Sequence, residues 1–166
     1  MAFWKTNTID PKRSFRFKVL DSSGEWWWVK SIDKPSFEIN SNEYQIANHK
    51  FKYPGIVSWN DITITILDVE LKAKDIMNKF MSSQGYQSPD DCSRGLTKSD
   101  HDGKSQGGIN ILQYDGQGTL IETWKVYGSF IKSVNFGTLD YGKDDFVEIQ
   151  IVLSYDFAEI DGGPNT

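Results

Sequence analysis

Apolar and polar side chains alternate along much of this chain, which is the pattern of strands buried on one face. Residues 15–19 and 26–30 alternate on either side of turn-forming residues at 21–24, and together they predict a β-hairpin. The pattern returns at 59–68, where three isoleucines fall on one face and two threonines on the other.

The last third of the chain also reads as consecutive strands, over 109–114, 120–126, 127–131 and 146–157. The last of these is the longest alternating run. It places Glu148 and Gln150 on the face opposite Ile149 and Ile151.

Residues 37–40 alternate in the same way, and an extension to Tyr44 is left open. From Asn40 to Ser58 the chain is polar and irregular, and Pro54 followed by Gly55 indicates a turn. We therefore expect a long connection here, and connections of this length in compact domains usually bind something.

The spacing changes at 69–82, which predicts one amphipathic helix with an apolar side made of Leu71, Ile76, Met77 and Phe80. Gly85 is placed to end it. We predict flexible ends at 1–13 and 161–166 and an exposed loop insert at 84–108. The whole chain, 1–166, is predicted to form a single, mainly β domain, an antiparallel β-barrel or sandwich with one principal flanking helix.

Composition adds two points. The chain has ten Phe, seven Tyr and six Trp, more aromatics than one small core needs, which hints at contact with other subunits. Its net charge of -5 argues against tight DNA binding, which requires a basic surface. No apolar run is long enough for a signal peptide or a membrane helix, so we expect no membrane segment.

Candidate chemistry is sparse. His101 lies between two aspartates, but no second His or Cys stands at metal-ligand spacing, and Cys92 has no base beside it in sequence. Adjacent carboxylates such as Asp144 and Asp145 are more often solvated than catalytic. We therefore predict that the protein is not an enzyme and has no metal site and no cofactor.

Trp26, Trp27 and Trp28 cannot all face the core from one strand, because neighbouring side chains point to opposite faces. An exposed tryptophan would suit either a carbohydrate-binding platform or a subunit interface. The sequence leaves both uses open.

The ordered segments FRFKVL, WWWVKSIDKP, HKFKYPGIVSWNDITITILD and the block from LQYDGQ to FAEI resemble the tail tube proteins of contractile-tailed phages, of the coliphage and cyanophage type. The final block carries Glu122 and Trp124 on one strand, a bend at Gly137 and an alternating strand that ends at Tyr155. The resemblance spans residues 15–160 and is weakest at 84–108.

This resemblance implies a structural virion protein whose six copies close into a ring, with stacked rings forming the inner tail tube. The implied partners are further copies of the chain, the tail sheath protein, the tape-measure protein, the baseplate tube initiator and the tail terminator. Double-stranded DNA would pass through the lumen without specific binding during genome ejection. The location implied is the virion tail, assembled in the host cytoplasm.

The candidate residues for contacts between subunits and rings are Tyr44, His49, Lys50, Phe51, Tyr53, Trp26, Trp27 and Trp28. Glu148 and Gln150 are the candidates for facing the lumen. The alternatives are a tube initiator or baseplate protein, a tail terminator, a type VI secretion tube protein and, from another class, a carbohydrate-binding β-sandwich.

Overall fold

The computed structural model describes residues 11–21, 24–84 and 108–162, and the structural statements below concern this part of the chain. Its strands and helix are β1 (Phe17–Asp21), β2 (Gly24–Glu25), β3 (Val29–Ile32), β4 (Phe37–Ile46), β5 (His49–Trp59), β6 (Ile62–Leu67), α1 (Lys72–Gln84), β7 (Asn110–Tyr114), β8 (Leu120–Tyr127), β9 (Phe130–Asn135), β10 (Glu148–Ser154) and β11 (Phe157–Gly162). Most of the predicted lead-in, insert and tail, with Cys92 and His101, lies outside the described residues. Asp161 and Gly162, predicted as part of the tail, lie in β11.

The strands form two antiparallel sheets and a separate two-stranded ribbon. Sheet A has the order β11–β8–β7–β1–β2, and sheet B has the order β3–β6–β10–β9. Side chains from both sheets meet in one core cluster. The predicted mainly β, antiparallel fold with one helix is thereby confirmed in the described residues. Neither sheet closes on itself, so the architecture is a sandwich and not a closed barrel.

The core rests on the alternation of β6 and β10. Ile64 and Ile66 are fully buried and lie opposite Ile151 and Ile149 in the antiparallel register. Each such side chain contributes roughly 1.5–3 kcal/mol when it leaves water. The predicted faces of both strands are confirmed.

The predicted hairpin is only partly right: the chain turns back at 21–24 as expected, but residues 26–30 do not continue as the partner strand of β1. β1 pairs on that side with the two residues of β2, and the Trp26 amide donates one more hydrogen bond of 2.8 Å to the Val19 carbonyl oxygen. The chain then crosses to sheet B, where β3 pairs with β6. Trp26 and Trp28 lie at this crossing and pack against the core. Their spacing of two residues places both indoles on the same side of the chain, whereas Trp27 between them is exposed.

The predicted helix is confirmed, with its start moved to Lys72, but its predicted apolar side is only partly right. Ile76 is buried and Ala73 packs beside it, whereas Leu71 and Met77 are exposed. Glu70 has a φ of 52°, a left-handed conformation that turns the chain just before the helix and leaves Leu71 outside it. The side chain of Phe80 lies outside the described residues.

The expected irregular connection from Asn40 to Ser58 is instead the long ribbon β4–β5. Its two-residue loop has Ala47 at a φ of 52°. Pro54 and Gly55 do not form the predicted turn but lie within β5, where the register shifts. A Cβ atom on Gly55 would lie 2.7 Å from the Asn40 carbonyl oxygen, so glycine permits this close approach.

Candidate assembly interface

The ribbon β4–β5, which we call the arm, extends from the sandwich with little packing of its own. Every residue of β4 is exposed, as is every residue of β5 except Gly55 and Trp59. An isolated two-stranded hairpin is marginally stable in water. The arm is therefore a candidate for an interaction surface.

The outer half of the arm has two chemically different faces, because residues paired across the strands share a face. Tyr44 lies opposite Phe51, Asn42 opposite Tyr53 and Ile46 opposite His49. On the other side, Glu43 lies opposite Lys52 and Gln45 opposite Lys50. We call the first side the aromatic face, defined by Tyr44, Ile46, Phe51 and Tyr53, and the second the polar face.

The aromatic face is 46–61% exposed at its four apolar side chains. The structure brings the predicted contact candidates Tyr44, Phe51 and Tyr53 together on this face, with His49 at its tip. Lys50, also a candidate, lies on the polar face, where its ammonium group is 3.5 Å from the Glu43 carboxylate. Contiguous exposed apolar groups of this kind mark interaction sites in soluble proteins.

The root of the arm is fixed by aromatic packing. The Phe37 and Trp59 rings, on paired residues, have centroids 5.2 Å apart, and Trp59 lies 5.8 Å from the ring of Tyr155 in the core. The Asn60 amide donates a hydrogen bond of 2.9 Å to the Ser36 carbonyl oxygen. The arm thus leaves the sandwich in a defined direction.

A buried carboxylate lies close to the connection that leads into the arm. Glu122 is 6% exposed, and its Oε1 atom accepts hydrogen bonds from Lys34 Nζ at 2.5 Å and Trp124 Nε1 at 2.8 Å. Lys12 forms an ion pair with the other carboxylate oxygen. Lys34 also donates to Gln113, which is buried beside Glu122 across the β7–β8 pairing.

Burial alone would raise the pKa of Glu122, but the bonds from Lys12, Lys34 and Trp124 together lower it from 4.5 to about 2. The carboxylate is therefore a fixed negative charge near neutral pH. A general acid or base needs a pKa close to the working pH, so Glu122 is suited to hold structure and not to transfer protons. It ties the segment before β1 and the β3–β4 connection to β8.

The three tryptophans have different environments. Trp26 and Trp28 stack with centroids 6.2 Å apart and pack against the core, and the Lys72 ammonium lies 3.9 Å from the centre of the Trp28 ring. Trp27 is 70% exposed. Of these three contact candidates, Trp27 alone exposes most of its surface to solvent.

Glu148 and Gln150 lie on the outer face of sheet B. Gln150 is flanked by Thr65 and Asn135 in the register, and Glu148 forms an ion pair with Lys30. The cross-strand neighbours of Gln150 on both sides are therefore short and uncharged. That these residues line a lumen remains a prediction.

The described residues hold no group of three or more His, Cys, Asp or Glu side chains that could bind a metal ion. In the same part of the chain, no helix is long and apolar enough to cross a membrane.

Sequence reasoning missed two features of this site. The arm was predicted to be an irregular connection, although the alternation at Tyr44–Gln45–Ile46 and Phe51–Lys52–Tyr53 indicated two strands. The burial of Glu122 was not predicted, because no local pattern shows it. Lys12 and Lys34 are distant in sequence and come close to Glu122 only in the folded protein.

No protein-family model matches the chain, and no curated protein matches it. Solved structures do match. The cryo-EM structure of the anti-feeding prophage tube-terminating cap has a TM-score of 0.74 and 19% identity, over 98% of this chain and 100% of the other. This chain has the fold of contractile injection tube-type proteins.

Two further cryo-EM structures extend the comparison. A chain of the PVC extracellular contractile injection system, from its sheath–tube complex in the extended state, has a TM-score of 0.70 and 19% identity, over 93% of this chain and 94% of that one. A chain of the anti-feeding prophage baseplate has a TM-score of 0.68 and 13% identity, over 93% and 97%. At these identities the likeness establishes the fold.

Proposed function

We propose that this protein is a structural, non-enzymatic subunit of the inner tube of a contractile tail, assembling as hexameric rings that stack into a conduit for genome ejection. The exposed aromatic face of the arm, on a fold shared with the contractile injection structures above, carries the proposal. An aromatic surface without a core of its own is suited to burial between subunits.

The same function gives the other surfaces a role. The outer face of sheet B, with Gln150, Thr65 and Asn135 and the Glu148–Lys30 ion pair, is our candidate lumen lining. Short uncharged side chains would let DNA slide, because tight DNA binding requires clustered Lys and Arg. The partners proposed are the sheath, the tape-measure protein, the baseplate initiator and the terminator, in a virion tail built in the host cytoplasm.

A tube-terminating cap is the second candidate, favoured by the coverage of both chains in the comparison with the anti-feeding prophage cap. A baseplate initiator shares the fold likeness as well. A carbohydrate platform is less suited to the structure, since Trp26 and Trp28 pack on the core and leave Trp27 as the single largely exposed indole of the three.

The proposal is tested by negative-stain electron microscopy and sedimentation velocity across a concentration series. The wild-type protein should form six-fold rings and hollow tubes. The variant Y44S/F51S should remain monomeric and folded, because both side chains are exposed and contribute little to the core. Gln45→Ser, on the polar face beside them, is the matched control and should assemble normally.

Tubes of unlimited length support the tube subunit, whereas single rings that do not stack support the cap. A wild-type protein that stays monomeric at the highest concentration would contradict self-assembly. Equal assembly of wild type and Y44S/F51S would contradict the role of the aromatic face.

A further inference from the structure

A second exposed apolar surface lies on the connection between β9 and β10, at residues 136–146, which we call the acidic loop. All of its residues are exposed, and Leu139 and Phe146 are each 86% exposed. Tyr141 is also fully presented to solvent. Large apolar side chains with no cover in the sandwich point to a partner.

The acidic loop has a defined shape. The Gly137 amide donates to the Asn135 side-chain oxygen at 3.0 Å, and Gly137 adopts a φ of 83°, where a side chain would be strained. The Gly142 amide donates to Asp140 Oδ1 at 2.9 Å. A shaped loop loses less conformational entropy when it is bound than an unstructured one.

The charges of the acidic loop and the arm are complementary. The loop carries three aspartates, Asp140, Asp144 and Asp145, against one lysine, Lys143. The polar face of the arm carries Lys50 and Lys52 against Glu43, and His49 lies at the arm's tip. The arm is only two strands wide, and neighbouring strands lie about 4.8 Å apart. The long side chains of Lys50 and Lys52 can therefore extend past the edge of the arm, towards a partner that contacts its aromatic face.

We propose that the arm of one copy docks on the acidic loop of a second copy, with the aromatic face covering Leu139, Tyr141 and Phe146 and with Lys50 and Lys52 facing Asp144 and Asp145. This inference rests on the proposed function. Two different surfaces of one chain then meet in a head-to-tail contact, which generates closed rings or filaments and not an isolated pair. The occupant is a second copy, because the chain itself carries both complementary halves.

Charge reversal tests the pairing directly. K50E/K52E and D144K/D145K each place like charges opposite each other, so each protein alone should assemble only at a concentration at least about tenfold above wild type. In a 1:1 mixture, each arm finds a loop of opposite charge, and assembly should return. K18E/K74E has the same change in net charge as K50E/K52E at exposed positions outside both surfaces and should assemble like wild type.

All four exchanged positions of the test variants are exposed, and circular dichroism with thermal melts confirms folding in each case. Sedimentation velocity and electron microscopy are the readouts. If wild type assembles but either reversal alone also assembles, or if the mixture does not recover, the arm–loop contact is refuted and the tube function stands. If wild type does not assemble at all, the proposed function itself fails.

Discussion

Substituting Glu122 with Gln removes one buried negative charge and changes the shape of the side chain very little. The change leaves Lys12 and Lys34 without the carboxylate that pairs with both of them. It also weakens the acceptor of the Trp124 indole. The substitution therefore isolates the electrostatic part of the contact that ties the connection before the arm to β8.

The size of the effect follows from the pKa of Glu122. Folding lowers this pKa from 4.5 to about 2, and at 1.36 kcal/mol per pH unit this corresponds to roughly 3 kcal/mol in favour of the ionised folded state. The side chains of Lys12 and Lys34 are 45% and 46% exposed and would be hydrated again once released. We therefore expect E122Q to lower the free energy of unfolding by about 1–3 kcal/mol at pH 7.

The pH dependence supplies the diagnostic readout. Because the folded pKa lies below the unfolded one, the stabilisation is complete above pH 4.5 and is lost as the pH falls towards 2. The difference between wild type and E122Q should be constant from pH 5 to 7 and shrink steadily below that range. Urea unfolding in the monomeric Y44S/F51S background measures it without a contribution from assembly.

Glu148→Gln is the matched control. Glu148 on β10 is also paired with a lysine, Lys30 on β3, across the intervening strand β6, but its side chain is 40% exposed and that of Lys30 is 57% exposed. Its loss should cost less than about 1 kcal/mol, as for other exposed ion pairs. Equal effects of E122Q and E148Q, or an E122Q effect that persists unchanged at pH 2, would refute the reasoning about burial.

Two further substitutions test the core and the root of the arm. Ile64→Ala should lower the free energy of unfolding by about 2–5 kcal/mol, because Ile64 is fully buried, and urea unfolding should show Thr65→Ala to be far milder; similar losses would contradict the assigned faces. Trp59→Ala removes the ring between Phe37 and Tyr155, so hydrogen exchange should quicken in the arm while β6 and β10 stay protected. Unchanged exchange in the arm would show that its root is held by other contacts.

The sandwich could be predicted from the sequence where burial imposes a period of two. The isoleucines of β6 and β10 alternate with polar residues because one face of sheet B is buried and the other is not. The local pattern therefore predicts both strands and their buried faces. The partner of each strand could not be predicted in this way. β1 and β3 belong to different sheets, and the crossing at residues 26–28 leaves no signal in the alternation, because Trp26 and Trp28 are two residues apart and would share a face in a continuous strand as well.

The arm was harder to predict because its two faces are both exposed. Its register shift between Ile39 and Ser41 interrupts the alternation, and Pro54 and Gly55 read as a turn although they lie in β5. The ion pairs of Glu122 could not be predicted from the sequence either. Its partners Lys12 and Lys34 are distant in sequence, so a buried ion pair looks like an ordinary surface glutamate until the fold is known.

Most of the aromatic residues in the described part of the chain fall into two groups, those that pack in or against the core and those that are exposed on the arm and the acidic loop. The buried core of the described residues is made almost entirely of Ile, Val and Leu, with Tyr155 as its aromatic member. The exposed large side chains, by contrast, include Tyr44, Phe51 and Tyr53 on the arm and Tyr141 and Phe146 on the acidic loop. Aromatic rings that stay in water do not provide the stabilisation that burial of their large apolar area would give. The proposed arm–loop contact would cover both aromatic surfaces with a second copy, and its repetition from copy to copy would extend the assembly.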